Sequence, residues 1–568
     1  MRKATLAFAV SFRRLLVRWT HSSFSTVKSV PERPGDLTLK DFIKGSLAAT
    51  KDASGSRFTN SDGISYLPRH LMDGRGRKVF FKVYGCQMNV NDTEIAWSIL
   101  KDHGYERTTQ EADADVVLLV TCSIREGAEQ KIRSCLVHLQ ALKERKRANR
   151  QPFTVGVLGC MAERLKHHLI EEEKMVDVVC GPDAYRDLPR LLVLGESTEV
   201  AVNVLLSLEE TYADVTPVRL NPNSISAFVT VMRGCDNMCS YCIVPFTRGR
   251  ERSRPAMSIV EEVQRLVNDG VKEVTLLGQN VNSYCDTSKP RSKEETQMSH
   301  GFSAFYKPKR GGIRFAELLE RVARVDAELR VRFTSPHPKD FPDEVLDVIR
   351  SYPNICKSLH IPAQSGSTGV LERMRRGYSR EAYLDLISHV RTLLPGVALS
   401  SDFICGFCGE TEEEFQDTVS LIQSVRYNTA FLFPFSMRQK TRAYHRMQDD
   451  VPEVVKKARL EKMVAVFRQG ALELHQELIG SLQLVLVEGV SKRSIDCLAG
   501  RSDGNTRVVF PQMVVPVDGT SICQTMKPGD YVAIKVTDAS SQVLKGLPLH
   551  ITSLSKFHRE DKESILLE

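Results

Sequence analysis

Short apolar runs rich in β-branched residues alternate with longer segments of helical length from residue 78 onward. Runs at 78–84 (KVFFKVY), 116–121 (VVLLVT) and 154–158 (TVGVL) predict strands, and 92–100 and 126–143 between them predict helices. Alternation of this kind predicts a parallel sheet covered by helices. A fourth apolar run follows at 176–179.

The alternation resumes further along. Runs at 227–232, 273–277, 329–333, 358–361, 397–403 and 430–435 are separated by helical patterns, including 259–267, 315–325, 342–350, 380–393 and 412–425, which gives six βα units. The polar, basic stretch 289–312 breaks the pattern and is read as a surface insertion. From about residue 473 the period changes to two: Leu482, Leu484 and Leu486 alternate, and β-type runs recur at 507–510, 513–517 and 531–536 between Gly, Asp and Pro turns. A small all-β barrel fits this pattern.

A length of 568 residues suits about three to five domains. The expected spans are a leader 1–30, a linker 31–77, an N-terminal α/β domain 78–196, a linker 197–222, a βα domain 223–466, a β module 473–552 and a charged tail 553–568. The leader carries Arg2, Lys3, Arg13, Arg14, Arg18 and Lys28 with no acid, and Phe8, Phe12, Leu15, Leu16 and Trp19 share one helical face. It resembles a mitochondrial transit peptide more than a secretory signal, the alternatives being a disordered basic tail or a peripheral helix. Removing those six from the 78 Lys and Arg leaves 72 against 70 Asp and Glu, so nucleic-acid binding would have to come from local patches. No apolar stretch is long enough for a membrane anchor.

Fourteen cysteines are too sparse for a small disulfide-stapled fold. Three close the predicted strands: Cys86 in YGCQMN, Cys122 in TCS and Cys160 in LGCMAE. Ligands of open α/β sheets bind beyond the carboxyl ends of strands, so these thiols suggest a metal or cluster site, with core packing as the alternative for each one. Cys180 has a similar strand-end position and stays open as a ligand, whereas Cys135 falls within a predicted helix and reads as packing.

The most specific signal is GCDNMCSYCIVPFTRGRERSR from Gly234. Cys235, Cys239 and Cys242 form C-x3-C-x2-C directly after a predicted strand. Three thiolates on one loop can hold three irons of a 4Fe-4S cube and leave the fourth open. Structural zinc is the alternative, although no fourth Cys or His lies nearby in the loop.

This loop, with Tyr241 just before its last cysteine, resembles that of the radical S-adenosylmethionine enzymes. The longer string, together with YGCQMN, resembles the methylthiotransferases of that superfamily, in the MiaB-like branch, over about residues 78–552. The resemblance implies an α/β multidomain chain: a parallel α/β domain, a (βα)6 partial barrel and a C-terminal barrel similar to the TRAM domain of RNA-modifying enzymes. It implies one 4Fe-4S cluster on Cys235, Cys239 and Cys242 that cleaves S-adenosylmethionine to a 5′-deoxyadenosyl radical. A second is implied on Cys86, Cys122 and Cys160, carrying the sulfur to be methylated and transferred.

The implied substrate is isopentenylated adenosine beside the anticodon of mitochondrial tRNA, with an electron donor whose identity the sequence does not give. The alternatives are a methylthiotransferase acting on a ribosomal-protein aspartate and a non-enzymatic regulator with structural cysteines. In such enzymes the regions holding Gln279, Asn280 and Asn282, and Gln364, Ser365 and Ser367, help hold S-adenosylmethionine; as bare sequence each reads equally as a turn. The segment DFICGFCGE departs from the family's pattern by placing Cys408 where proline is usual, creating Cys405-x2-Cys408, which reads as a chance pair. SMRQKT after the last predicted strand also departs from the family pattern, which puts substrate contacts there in doubt.

Among basic clusters, Arg248, Arg250, Arg252 and Arg254 beside the loop are the first RNA candidates. Lys492, Arg493 and Arg507 are the local set in the C-terminal module, which is otherwise near neutral. Arg373, Arg375 and Arg376, and Lys143, Arg145, Lys146 and Arg147, read as solvated faces.

Overall fold

The computed structural model describes residues 67–123, 126–165, 175–196, 200–288, 301–303, 311–518 and 520–559. The leader, residues 31–66 of the linker, most of the insertion and the end of the tail lie outside the described residues. Among those described, no helix is long and apolar enough to cross a membrane.

The N-terminal domain is a six-stranded parallel sheet. Lys78–Val83, Val116–Thr121, Thr154–Gly159 and Val178–Cys180 lie side by side in that order, with Glu106–Arg107 and Ala201–Asn203 at the two edges. The strand Val116–Thr121 is buried at every position, as a continuous apolar run in a sheet covered on both faces should be. Leu118 and Val120 pack with Ile95 of the helix Gln87–Asp102 on one side. Val117 and Leu119 pack with Ile132, Leu136 and Leu139 of the helix Glu126–Ala148 on the other. The edge strand Ala201–Asn203 falls in the stretch expected to be a linker from 197, so the sheet reaches further along the chain than its apolar runs indicated.

Six parallel strands form the central domain as two sheets of three. Ser226–Thr230, Glu273–Leu277 and Arg330–Phe333 make one, and Ser358–His360, Ala398–Cys405 and Thr429–Pro434 the other; a bridge between Val331 and Ile355 joins them. Ser226–Thr230 and Thr429–Pro434 are both edge strands, so the barrel is partial. Helices Ala256–Asn268, Phe315–Ala323, Asp343–Ser351, Arg380–Leu393 and Glu412–Val425 cover its outside. The last starts on a capping box in which Thr411 and Glu414 satisfy each other's backbone N–H groups.

The helix Glu453–Gln476 runs through the boundary expected between 466 and 473, so the final module begins later than the change of period suggested. Its five strands close into a barrel in the order Leu482–Ser491, Ser494–Ser502, Arg507–Pro511, Val543–Thr552 and Tyr531–Ala539. The run expected at 513–517 forms instead a small arm, Val514–Pro516 against Cys523–Thr525. Ser494–Ser502 and Val543–Thr552 were not evident because the first has a single β-branched apolar residue, Ile495, and no apolar run longer than three, and the second contains Gly546 and Pro548.

This barrel docks on the entry ends of the central strands. Arg330 donates to the carbonyls of Arg501 and Leu484, and Arg332 to those of Asp503 and Ser502. The cysteine loop leaves from the opposite, carboxyl end of the first central strand.

Candidate active site

Cys86, Cys122 and Cys160 follow three neighbouring strands of the N-terminal sheet, so the topology delivers them to one sheet end. Cys86 also heads the helix Gln87–Asp102. A hydrogen bond from the Cys122 thiol, helped by the Arg248 charge, brings the Cys86 thiol down to about 6 against the effect of burial. Burial pushes the Cys160 thiol up, although Arg248 Nε donates to its Sγ at 3.1 Å. Cys180 stands back from the sheet end where this trio lies. It pairs with Leu158, two residues short of Cys160, and is fully buried in the core with Tyr185 and Tyr212.

The second trio sits on a loop pinched at its neck by the two-stranded pair Met232–Arg233 and Arg252–Ser253. Gly234 opens the loop at φ +77°, and a Cβ there would lie 2.1 Å from the Arg250 carbonyl, so only glycine fits. Its N–H donates to Gln279 Oε1 at 2.6 Å. At the tip, Ser240 bonds to the carbonyls of Arg373 and Met374. Burial, reinforced by the neighbouring thiols, pushes Cys235 well up and Cys242 to about 12. Iron held there would displace those protons. Arg376 Nη1 lies 3.4 Å from Cys239 Sγ, and Tyr241 packs against the cluster that contains Phe407 and Phe435.

Asp92 joins the two sites. Fully buried on the helix headed by Cys86, it accepts from Arg233 Nη1 at 2.7 Å and from Arg248 Nη2 at 2.6 Å. Arg233 immediately precedes the loop and Arg248 follows its last cysteine by six residues. Asn91 of the same helix bonds to Thr230 and to the Phe228 carbonyl of the first central strand.

The remaining predicted contacts divide. Gln279 holds the loop. Asn280 and Asn282 fasten the segment His337–Asp340 through bonds of 2.6 to 3.1 Å, and Ser365 bonds to Thr418. These three shape the wall and have their polar atoms engaged by the protein itself. Ser367 precedes the helix Thr368–Arg373 without capping it. Gln364 has φ +69°, and its side chain makes no hydrogen bond to a described residue, so it is free to meet a ligand.

The arginine cluster is a correction. Arg248, Arg252 and Arg254 are buried and paired with Asp92, Asp183 and Glu262, and exposed Arg250 is held by Asp236. This patch is neutralised from within and is not an open RNA surface. Arg376 is also buried, Arg373 is held by Glu414 and Lys146 is buried against the Ala114 carbonyl, so neither of these clusters is simply a solvated face. Exposed Lys492 and Arg493 and half-buried Arg507 have no ion-pair partner among the described residues. Cys405 and Cys408 belong to different packing clusters, and Cys135 lies in the core.

The two thiol trios fit iron–sulfur clusters. Among the described residues no three His, Cys, Asp or Glu side chains surround a single-ion position, whereas a cube spreads its thiolates over separate irons. Beside the first trio, Arg248 Nη1 and Ser123 Oγ are buried without a partner among the described residues, which leaves donors for an acceptor such as cluster sulfide.

Three family models match successive stretches: Uncharacterized protein family UPF0004 at 78–181, the Radical SAM superfamily at 229–422 and the TRAM domain at 476–549. They define a radical S-adenosylmethionine enzyme with a TRAM domain. The chain is 56% identical to human "Mitochondrial tRNA methylthiotransferase CDK5RAP1" over 96% of both chains. It is 51% identical to the "CDK5RAP1-like protein" of Caenorhabditis elegans over 92% of this chain and 95% of that one. A "tRNA-2-methylthio-N(6)-dimethylallyladenosine synthase" of Chloroherpeton thalassium is 46% identical over 85% of this chain and 99% of its own. The chain belongs to the MiaB-like branch of the radical S-adenosylmethionine methylthiotransferases.

Proposed function

We infer that this chain is a mitochondrial tRNA methylthiotransferase that converts N6-isopentenyladenosine next to the anticodon to its 2-methylthio derivative. The observation that carries the reading is the bridge at Asp92, which ties the loop bearing one thiol trio to the helix headed by the other. The names of the human and mouse relatives support the compartment and the tRNA substrate.

Cys86, Cys122 and Cys160 would hold one 4Fe-4S cluster. Cys235, Cys239 and Cys242 would hold the other, with S-adenosylmethionine at its open iron. When bound, these groups supply a radical able to take hydrogen from an aromatic C–H, together with the sulfur and methyl that replace it.

The protein provides position. Gln279 fixes the loop through the Gly234 N–H, and Asp92 holds both flanks. Tyr241 and the aromatic cluster it packs against would flank the group held at Cys242. Gln364, whose side chain makes no hydrogen bond to a described residue, would offer its amide to the ligand. The anticodon loop offers an adenine already out of a duplex, and Lys492, Arg493 and Arg507 would hold its backbone. A separate electron donor completes the reaction.

Iron and sulfide are counted after anaerobic reconstitution. About eight irons in the wild type should fall to about four in each triple alanine variant, one per trio. Mass spectrometry of cells lacking the chain should show isopentenyladenosine accumulating in mitochondrial tRNA at the expense of its methylthio form. Unchanged tRNA with an altered ribosomal-protein aspartate overturns the substrate assignment.

A further inference from the structure

Arg248 is 3% exposed, yet its guanidinium is not spent on one ion pair. Nε donates to Cys160 Sγ at 3.1 Å, while Nη2 donates to Asp92 at 2.6 Å and lies 3.4 Å from Asn89 Oδ1. Nη1 is buried without a partner among the described residues. Asp92 is shared with Arg233, whose other carboxylate neighbour, Glu210, is 3.9 Å away. Two buried cations thus share one close carboxylate, and one of them, Arg248, also presents an N–H to the Cys160 sulfur.

We propose that Arg248 is a positioning residue that raises the reduction potential of the cluster held by Cys86, Cys122 and Cys160, with Asp92 as its counterweight. The proposal rests on the assignment of a cluster to those three thiols. Reduction adds negative charge to a cluster, and both an N–H bond to a ligand sulfur and a nearby buried cation favour that state. Arginine suits the position because its planar fork can address a carboxylate and a sulfur at once, where lysine offers one point of charge. Asp92 opposes the effect by drawing on the same guanidinium.

The test uses the full chain with Cys235, Cys239 and Cys242 replaced by alanine, so that a single cluster signal is followed in an EPR-monitored redox titration. Arg248→Gln should keep about four irons and shift the midpoint downward. Arg248→Lys should fall between Arg248→Gln and the parent, and Asp92→Asn should shift it upward. A side chain that only clamps the fold would give shifts of one sign, or none, in Arg248→Gln and Asp92→Asn; either result overturns the proposal. If Arg248→Gln does not load iron, Arg248→Lys and Asp92→Asn must still move in opposite directions, and failure to do so overturns it equally. A parent that binds no iron overturns the cluster assignment, and the role of Arg248 with it.

Discussion

The carboxylate of Asp92 lies 2.7 Å from Nη1 of Arg233, and neither residue exposes more than 1% of its surface. Removing one member of a buried ion pair leaves the other charged and desolvated, at a cost of roughly 3–5 kcal/mol. Asp92→Ala should therefore lower denaturant stability by about that amount, whereas Arg250→Ala, which breaks the exposed pair with Asp236, should cost under about 1 kcal/mol. Equal losses in the two variants would refute the ranking.

Gly234 and Gly270 both have positive φ, +77° and +85°, but only Gly234 has backbone pressed against its Cβ position. Gly234→Ala should distort the loop and reduce reconstituted iron from about eight to about four per chain. Gly270→Ala carries only the conformational strain, about 1 kcal/mol, and should retain all its iron. Iron analysis of the two purified variants separates steric clash from backbone preference.

Burial raises Glu94 to about 7, the Leu220 N–H partly offsetting it. The folded chain then holds this proton more tightly than the unfolded chain, whose carboxyl titrates near 4.5. Its contribution is favourable at low pH and is lost as pH rises from about 4.5 to 7. The penalty above that window is on the order of 3 kcal/mol at most. Glu94→Gln should match the wild type below about pH 4 and exceed its stability at pH 8. Glu410, also raised by burial to about 7, contributes the same slope in both proteins, so the difference between the two curves isolates Glu94.

Arg332 couples the central barrel to the terminal one by donating to Asp503 and Ser502 carbonyls at 2.9 and 2.8 Å while paired with Glu273 at 2.8 Å. Arg332→Ala should loosen this junction. Limited proteolysis should then cut between the helix ending at Gln476 and the strand starting at Leu482 faster than in the wild type. An unchanged digestion pattern counts against the junction depending on this side chain.

If Lys492 and Arg493 contact phosphates, replacing both with alanine should reduce the slope of log affinity against log salt for an anticodon stem-loop by about two. The same double change at Arg252 and Arg254 should leave that slope unchanged in any variant that folds, since those charges are already neutralised inside the protein.

The strands and helices of the two α/β domains were legible because a buried parallel strand is written as a continuous apolar run, as at 116–121, and a covering helix as a 3.6-residue stripe, as at 380–393 and 412–425. The terminal module was less legible. Ser494–Ser502 is held by barrel closure and carries little pattern of its own. The C-x3-C-x2-C spacing marked one thiol trio in the sequence, whereas strand-end position left Cys180 open beside Cys86, Cys122 and Cys160, and only the resemblance implied the second trio. The buried bridge was not legible, because Asp92 lies 141 positions from Arg233 and 156 from Arg248, and nothing in local sequence tells a neutralised arginine from an exposed one. The same blindness made Arg248, Arg252 and Arg254 look like a surface for RNA, when Asp92, Asp183 and Glu262 answer them from elsewhere in the fold.

The terminal barrel closes the entry ends of the central strands, while the cysteine loop rises from their exit ends. If Lys492 and Arg493 grip a transcript, it would reach along the flank of the enzyme before its target nucleotide arrives at the loop. Reach, as much as base identity, would then decide which position is modified, the distance between grip and chemistry serving as a ruler laid against the anticodon arm.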